Sequence, residues 1–269
     1  MLSGLANLNL ELTSRCSKKC AMCGRRQIER DYPQLANWGD MDFDLVVNIA
    51  NQLPPGIVVQ FHDNGEPLLY ENFGLAVSRF YRQIRCLDTN GKLLMEKAAE
   101  IIGNLDTITL STFEGDYEAE EQYDILLRFL EKKGDRKPRV VARCLGLVDT
   151  ERYRRLGLLV ATRVFHSPKG SFNYTQPVTI PEIGICLEAL HHLTIKRDGK
   201  VTMCVRFNPE GWQVIGDARE DTLDAIWNGG LRQQYLARHI AGKRNEDMPL
   251  CATCHYWGCP VPMRHLWGN

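Results

Sequence analysis

The sequence predicts an α/β protein, a partial barrel of six parallel strands with a small C-terminal unit made of a β-hairpin and a helix. Strand-like apolar segments alternate with helix-like segments from Leu8 to Phe165, which is typical of right-handed βαβ units and a parallel sheet. Polar side chains follow the strands, and cysteines fall into one group after the first strand and one around the hairpin. We therefore expect the active site at the carboxyl ends of the strands.

The composition argues against several classes of function. Lys and Arg total 33 and so do Asp and Glu, so no basic excess favours a nucleic-acid partner. No run of 18 apolar residues predicts a membrane span, and the N-terminus lacks the basic start of a secretory signal. Ten cysteines without an export signal favour metal thiolates over disulfides. The expected compartment is a reducing cytoplasm.

The first elements follow from apolar spacing and caps. Leu8, Leu10 and Leu12 alternate with polar residues and predict the first strand. A polar loop is expected over 24–40. Asp42 then caps a helix that Pro54-Pro55-Gly56 ends.

The later elements repeat the same alternation. Strands are predicted over 57–61, 85–89, 105–110, 139–144 and 158–165, and helices over 93–102, 118–132 and 150–156. In the second half, Arg197-Asp198-Gly199 suits a hairpin tip between 193–195 and 201–203, and a single helix is expected over 221–239. Cys86 and Cys144 lie in strands, where small core residues are common.

Three cysteines follow the first strand as Cys16-x3-Cys20-x2-Cys23. Three thiolates can hold three corners of a cubic 4Fe–4S cluster and leave the fourth iron open to another ligand. A structural zinc ion would need a fourth protein ligand, and no His or Cys follows until His62. This spacing after a first strand resembles that of the radical S-adenosylmethionine (SAM) enzymes. The resemblance implies that the open iron chelates SAM, whose cleavage yields a 5′-deoxyadenosyl radical that removes a hydrogen atom from substrate.

The segment Asn64-Gly65-Glu66-Pro67 after the second strand resembles the Gly-Gly-Glu motif of the same family, with Asn64 in place of the first glycine. A plain turn is the alternative. The resemblance implies that Glu66 accepts a hydrogen bond from the SAM ammonium group. The expected SAM-binding residues are Met22, Gly65, Glu66, Pro67, Asn90, Ser111 and Arg143.

A second group of four cysteines is Cys186, Cys204, Cys251 and Cys254. A hairpin would bring the first two together, and four thiolates close a second 4Fe–4S cluster completely; a four-cysteine zinc site is the alternative. This half resembles the Twitch domain, a shortened SPASM domain. The resemblance predicts a TIM-like (β/α)6 radical SAM barrel over 1–175 and a Twitch domain over 176–269. Because only Cys259 follows Cys254, one auxiliary cluster is expected.

Two reactions fit this architecture. The four-cysteine layout and Gly65-Glu66-Pro67-Leu68-Leu69 resemble aminocyclitol dehydrogenases, in which the auxiliary cluster could accept an electron. Cys259, in Trp257-Gly258-Cys259-Pro260, is similar in placement to the hydrogen-donor thiol of neomycin-type sugar epimerases. The sequence interpretation favours epimerisation with Cys259 as donor, with dehydrogenation as the alternative. Peptide or RNA modification and a non-catalytic iron–sulfur carrier stay open.

The expected substrate is a small molecule, a sugar, aminoglycoside or aminocyclitol, because the residues predicted at the strand ends are polar. No extra leader-binding domain of the kind found in peptide-modifying relatives is recognisable. The candidate substrate contacts are Asn64, His166, Lys169 and Arg206. An external one-electron reductant of the flavodoxin or ferredoxin type completes the expected partners.

Overall fold

The computed structural model describes residues 2–163, 186–206, 208–244, 246–252 and 254, together with the backbone of 179–180 and 259–260. The strands are β1 Asn7–Leu10, β2 Val58–Phe61, β3 Ile84–Thr89, β4 Thr107–Phe113, β5 Arg139–Leu145, β6 Leu159–Arg163, β7 Thr179–Ile180, β8 His192–Ile195, β9 Lys200–Thr202, β10 Val214–Asp217 and β11 Cys259–Pro260.

The α-helices are α1 Gly24–Asp31, α2 Phe43–Gln52, α3 Phe73–Arg79, α4 Ala98–Ile101, α5 Ala119–Lys133, α6 Glu151–Arg154, α7 Leu187–His191, α8 Leu223–Asn228, α9 Gly230–Ile240 and α10 Pro249–Ala252. Short 3-10 turns lie at Pro33–Leu35 and Pro67–Leu69. As predicted, Asp42 caps α2, because its carboxylate accepts from the backbone N–H groups of Asp44 and Leu45.

Within the described residues, nine strands form one sheet in the order β10-β9-β8-β1-β2-β3-β4-β5-β6. β1 to β6 run parallel, and each pairs with the next strand in the chain. This confirms the predicted partial barrel of six parallel strands. β8 lies parallel to β1 on its other side, and β9 and β10 continue antiparallel. The C-terminal hairpin is thus hydrogen-bonded to the barrel sheet through β1.

The core between the sheet and its helices is built from aromatic and aliphatic side chains. Phe61 on β2 makes edge-to-face contacts with Phe73 on α3 and with Phe80, and all three are fully buried. Leu8 and Leu10 on β1 are also fully buried. β1 therefore lies inside the sheet with partners on both sides. No helix among the described residues is long and apolar enough to cross a lipid bilayer.

Three predicted elements were wrong in kind or extent. The expected loop over 24–40 contains helix α1, whose Arg25 guanidinium stacks 3.7 Å from the Trp38 ring centroid, so a charged residue supplies part of its buried face. The helix expected over 93–102 is reduced to α4, because Gly91, at φ 83°, starts a series of turns instead.

The single helix expected over 221–239 is two helices. Gly229 is extended, with φ −66° and ψ 151°, and separates α8 from α9. A Cβ at this position would lie 2.9 Å from the Ala225 carbonyl oxygen. Helix α3, between β2 and β3, was not predicted, although Phe73, Ala76 and Val77 have helical spacing.

The strands extend beyond their predicted ends in one place that matters for the site. β4 continues to Phe113, so Ser111 lies within the strand and not after it. Cys144 is buried in the core, as expected, and Cys86 is half-buried. The predicted boundary between residues 175 and 176 lies outside the described residues and stays a prediction.

Candidate active site and iron–sulfur cage

The loop after β1 carries Cys16, Cys20 and Cys23, all half-buried. The loop is fixed at its end, since the Cys23 N–H donates to the Cys20 carbonyl and α1 begins at once with Gly24. Burial raises the pKa of Cys20 to about 12 and also raises the pKa of Cys23. The chain therefore holds these two thiols protonated at neutral pH until a metal cation replaces the proton.

The predicted Gly65-Glu66 segment packs directly against the chain that leads into this loop. A Cβ on Gly65 would lie 1.9 Å from the Thr13 carbonyl oxygen, and the Glu66 N–H donates to the Arg15 carbonyl at 2.7 Å. Glycine is needed here for close approach of two backbone segments. The segment after β2 thus supports the cysteine loop.

Glu66 is almost fully buried, at 2% exposure. Its carboxylate accepts from the Asn90 N–H at 2.7 Å, the Thr89 hydroxyl at 2.8 Å and the Leu68 N–H at 3.2 Å. Burial raises its pKa to about 7, against the opposing effect of these three donors. Glu66 therefore joins the end of β3 to the segment after β2.

Asn90 stands between this network and the cysteines. Its side-chain amide lies 3.9 Å from the Cys16 sulfur and 3.3 Å from the Ser17 hydroxyl. Gln122 on α5 donates both to the Asn90 carbonyl at 2.7 Å and to the Ser111 carbonyl at 2.9 Å. The structure thus brings Glu66 and Asn90 to the cysteine loop, with Ser111 connected to Asn90 through Gln122.

A second buried contact fixes the loop from the side of β4. The Lys18 ammonium lies 2.5 Å from Asp116, and both side chains are 1% exposed. Glu118 approaches the same ammonium at 3.6 Å, and the Phe113 ring centroid lies 4.9 Å away. Lys18, which lies between Cys16 and Cys20 in the sequence, thus forms a buried ion pair.

Charged and polar side chains also meet at the carboxyl ends of the strands. The Asp88 carboxylate on β3 pairs with Arg143 on β5 at 2.5 Å and lies 3.5 Å from the His62 imidazole after β2. The Asp63 carboxylate contacts the Lys196 ammonium after β8. Burial raises the pKa of Asp63, although the Lys196 charge opposes it.

Glu11, after β1, joins this group. Its carboxylate accepts from the Asn64 side-chain amide at 3.3 Å and from the Arg197 N–H at 3.0 Å. Glu11, Asp63 and Asp88 are thus three nearly buried carboxylates, with hydrogen-bonding partners from β5, from the segment after β2 and from the start of the hairpin. We call Glu11, His62, Asp63, Asp88, Arg143 and Lys196 the strand-end cluster.

The second group of cysteines lines one cavity. Cys186, Cys204, Cys251 and Cys254 surround it together with Ala189, Met203, Arg206, Gln213, His239 and Leu250. The cysteines come from the start of α7, the segment after β9, and α10 with the residues after it. Burial raises the pKa of Cys251 to about 11 and also raises the pKa of Cys186 and Cys204. We call this cavity the four-thiol cage.

Four thiols are the ligand set of a closed 4Fe–4S cluster and also of a structural zinc ion. Among the described residues, no three His, Cys, Asp or Glu side chains are close enough to hold one metal ion. A zinc ion would draw its sulfur ligands to about 2.3 Å. A cubic cluster instead holds each of the four thiolates on a different iron atom, and metal analysis distinguishes the two.

Comparisons with known proteins agree with this arrangement. Residues 186–255, which begin at the first cysteine of the cage, match the model of the SPASM family, described as an iron–sulfur cluster-binding domain. The cofactor-modifying protein of the tungsten-containing aldehyde ferredoxin oxidoreductase from Pyrococcus furiosus is 32% identical over 103 residues. That match covers 36% of this chain and only 27% of the relative's length.

Solved structures are similar over nearly the whole chain. The crystal structure of BtrN in complex with AdoMet and 2-DOIA has a TM-score of 0.65 at 19% identity and covers 96% of this chain and 95% of BtrN. Streptococcus suis SuiB bound to its precursor peptide SuiA has a TM-score of 0.59 at 16% identity, covering 96% of this chain and 72% of SuiB. At these identities the likeness establishes the fold. In its fold, its three-cysteine loop after β1 and its SPASM domain over residues 186–255, the chain is similar to the radical SAM enzymes.

The predicted cofactors, two 4Fe–4S clusters and SAM, agree with the iron–sulfur cluster-binding domain over 186–255 and with the radical SAM neighbours. Within the radical SAM fold the structure places Gly65, Glu66, Pro67 and Asn90 around the cysteine loop, and Met22 within it between Cys20 and Cys23. Arg143 and Asn64 lie in or beside the strand-end cluster. Arg206, predicted to contact substrate, lies at the four-thiol cage with its guanidinium against the Cys254 sulfur. The assignment of these residues to SAM or substrate stays a prediction.

Three predicted residues cannot be placed. His166 and Lys169 lie outside the described residues, and for Cys259 the structure describes only the backbone, in β11 paired with β7. Their roles stay predictions.

Several site residues were not predicted from the sequence, among them Glu11, Lys18, Asp88, Lys196 and Gln213. Lys196 had an available signal, since it follows the strand 192–195 as the other polar residues follow theirs. Lys18 also had one, because it lies between two of the predicted ligands. Nothing in the local pattern marks Gln213.

Proposed function

We propose that this chain is a radical SAM enzyme that removes a hydrogen atom from a carbon of a sugar, aminoglycoside or aminocyclitol and oxidises a secondary alcohol there to a ketone. The four-thiol cage carries this proposal. The four thiolates that line it would occupy all four ligand positions of a cubic cluster and leave no open iron for substrate. A closed cluster of this kind suits acceptance of an electron.

The N-terminal cysteines would hold the other cluster. When bound, that cluster and SAM supply the radical that takes the hydrogen atom. Cys16, Cys20 and Cys23 would bind its iron, and Glu66 would position Asn90 against it through the 2.7 Å hydrogen bond to the Asn90 N–H. Met22, Gly65, Pro67, Ser111 and Arg143 are the further proposed SAM contacts, and Glu66 itself is the proposed acceptor for the SAM ammonium group.

The strand-end cluster supports a small polar substrate. Its three carboxylates and three basic groups offer hydrogen bonds to hydroxyl and amino groups. The likeness to BtrN, which was crystallised with AdoMet and 2-DOIA, extends over 95% of that chain, whereas SuiB, crystallised with a precursor peptide, is covered to 72%. The proposal includes a one-electron reductant of the flavodoxin or ferredoxin type and a cytoplasmic location. Asn64, His166, Lys169 and Arg206 are the proposed substrate contacts.

Epimerisation is the second candidate. Cys259 is a thiol beyond the seven proposed ligands, and in the β11–β7 ladder it lies opposite Ile180. A thiol can donate a hydrogen atom to a carbon radical, which would return the substrate with one centre inverted.

The mass of the product distinguishes the two reactions. Oxidation gives a product two mass units lighter than substrate, and Cys259→Ala should leave its rate nearly unchanged. Epimerisation in heavy water gives a product with one deuterium at the inverted carbon, and Cys259→Ala should still release 5′-deoxyadenosine but little epimer. A product without either mass change and without inversion would contradict both candidates.

A further inference from the structure

The sulfur atoms of the four-thiol cage are contacted by side chains that donate hydrogen bonds. We propose that Arg206 and Gln213 raise the reduction potential of the auxiliary cluster by donating N–H hydrogen bonds to the sulfurs of Cys254 and Cys251. This inference rests on the proposed function only in requiring an iron–sulfur cluster in the cage.

The contacts are direct. The Gln213 side-chain amide nitrogen lies 3.1 Å from the Cys251 sulfur, and the Arg206 guanidinium is in hydrogen-bonding contact with the Cys254 sulfur. His239 brings an imidazole nitrogen to 3.6 Å from the same Cys251 sulfur. In the N-terminal loop the Asn90 amide stands further off, at 3.9 Å from Cys16. Side-chain donors therefore approach more closely at the cage.

The chain holds Gln213 in an unusual conformation to make this contact. Its φ is 54°, in the left-handed region that non-glycine residues rarely adopt. Its side-chain oxygen accepts from the Leu250 N–H at 3.1 Å, which fixes the amide so that the nitrogen faces the sulfur. Backbone strain of this kind persists where the surroundings enforce it, and here it sits at the cage.

The direction of the effect follows from charge. A reduced cluster carries one more negative charge than an oxidised one, and its thiolates share that charge. N–H donors, and above all a guanidinium, stabilise the more negative state, although the Glu188 carboxylate in the same lining acts in the opposite direction. Hydrogen bonds to the sulfurs are one of the factors that set the potentials of such clusters. The donors therefore make the cluster a better electron acceptor.

The test is a redox titration followed by electron paramagnetic resonance, in full-length protein. Replacing Cys16, Cys20 and Cys23 together by Ala leaves the auxiliary cluster as the one remaining signal. Gln213→Met removes the donor to Cys251 without adding a charge, and Arg206→Met removes the cation beside Cys254. In each variant we expect the ratio of reduced to oxidised cluster at the wild-type midpoint to fall about tenfold, equivalent to about 59 mV for a one-electron couple.

Arg238→Met is the matched control, because it removes a cation from α9 that pairs with Asp247 and leaves the cage sulfurs untouched. Its potential should equal that of the parent. If Arg206→Met loses its iron, Arg206→Lys keeps the charge and tests the hydrogen bond, with a smaller fall expected. Unchanged potentials in iron-loaded Gln213→Met and Arg206 variants would overturn this inference alone. Zinc in the cage would overturn the proposed function and the inference with it.

Discussion

Lys18 is a buried cation in the middle of the cysteine loop, and its partner Asp116 belongs to the connection after β4. Lys18→Met should destabilise the protein by about 3–5 kcal/mol, because removing one member of a buried ion pair leaves the other charge uncompensated. Anaerobic urea unfolding of the reconstituted protein measures this. Lys19→Met, at the exposed neighbouring position, should change the free energy of unfolding by less than about 0.5 kcal/mol.

The double variant Lys18→Met/Asp116→Leu tests whether the stability comes from the pairing of the two charges. With both charges gone, part of the lost stability should return, because no ion is then buried without a partner. Equal losses in the single and double variants would show that the Lys18 stem, rather than its pairing, stabilises the loop.

Gly65 allows two backbone segments to touch. Gly65→Ala should cost about 1–3 kcal/mol, since the new methyl group overlaps the Thr13 carbonyl and one of the two segments must move. Because the moved segment leads into Cys16, the variant should also retain less iron at the N-terminal loop. Iron analysis and urea unfolding check both effects. Gly230→Ala, where a methyl group meets open space, is the control and should be neutral or slightly stabilising.

At the scale of single residues, the sequence predicted those site residues that lie close together in the chain. The three cysteines of the loop, the four of the cage and the Gly65-Glu66 pair were singled out from local pattern. The SPASM match over 186–255 supports iron–sulfur binding in the second half, and the individual ligands stay predictions. The partners of Lys18 and the target of Gln213 could not, because each contact joins segments far apart in the chain. The sequence also did not reveal that Arg206 faces a sulfur.

Asp217 ties together the β9–β10 hairpin at the edge of the sheet. Hydrogen bonds from the Arg219 guanidinium and the Lys200 ammonium hold the pKa of this carboxyl well below its usual 3.8. A carboxyl with a lowered pKa in the fold stabilises it above the unfolded-state value and loses that effect as pH falls. Asp217→Asn should therefore cost about 1–3 kcal/mol near neutral pH, toward the lower end because both cations are half exposed.

The pH dependence of the unfolding free energy tests the role of the Asp217 charge directly. The difference in unfolding free energy between wild type and Asp217→Asn should stay constant down to about pH 5 and shrink as the pH falls below 3.8. Urea unfolding at a series of pH values measures it. A difference that grows in acid would contradict the assigned ion pairs.

At the scale of elements, strands were predicted more accurately than helices. All six barrel strands were predicted within a few residues, because a parallel buried strand is a compact apolar run. Helix α1 was missed since its buried face depends on the stem of Arg25 and on Trp38, which no apolar period reveals. The break at Gly229 was missed because the apolar spacing continues across it.

For the whole molecule, the cofactor content is the decisive quantity. Anaerobically reconstituted protein should contain about eight iron and eight sulfide, since seven cysteines and SAM complete two cubic clusters. Replacing Cys16, Cys20 and Cys23 by Ala should halve the iron and abolish SAM cleavage. Replacing the four cage cysteines should also halve the iron but leave SAM binding intact.

Chemical analysis and SAM-binding measurements on the same preparations check these values. Stoichiometric zinc without iron would contradict the cofactor assignment, and loss of SAM binding in the cage variant would indicate that the two sites do not fold independently.

The position of β1 between β2 and β8 also affects how the protein is made. Asn7 pairs with His192, which lies far along the chain. The edge of β1 that faces β8 therefore stays unpaired until most of the chain has been synthesised. Until then it is an unpaired strand edge lined by Leu8 and Leu10, the type of surface that recruits other chains. Chains truncated before His192 are thus exposed to aggregation at the strand from which the cysteine loop departs.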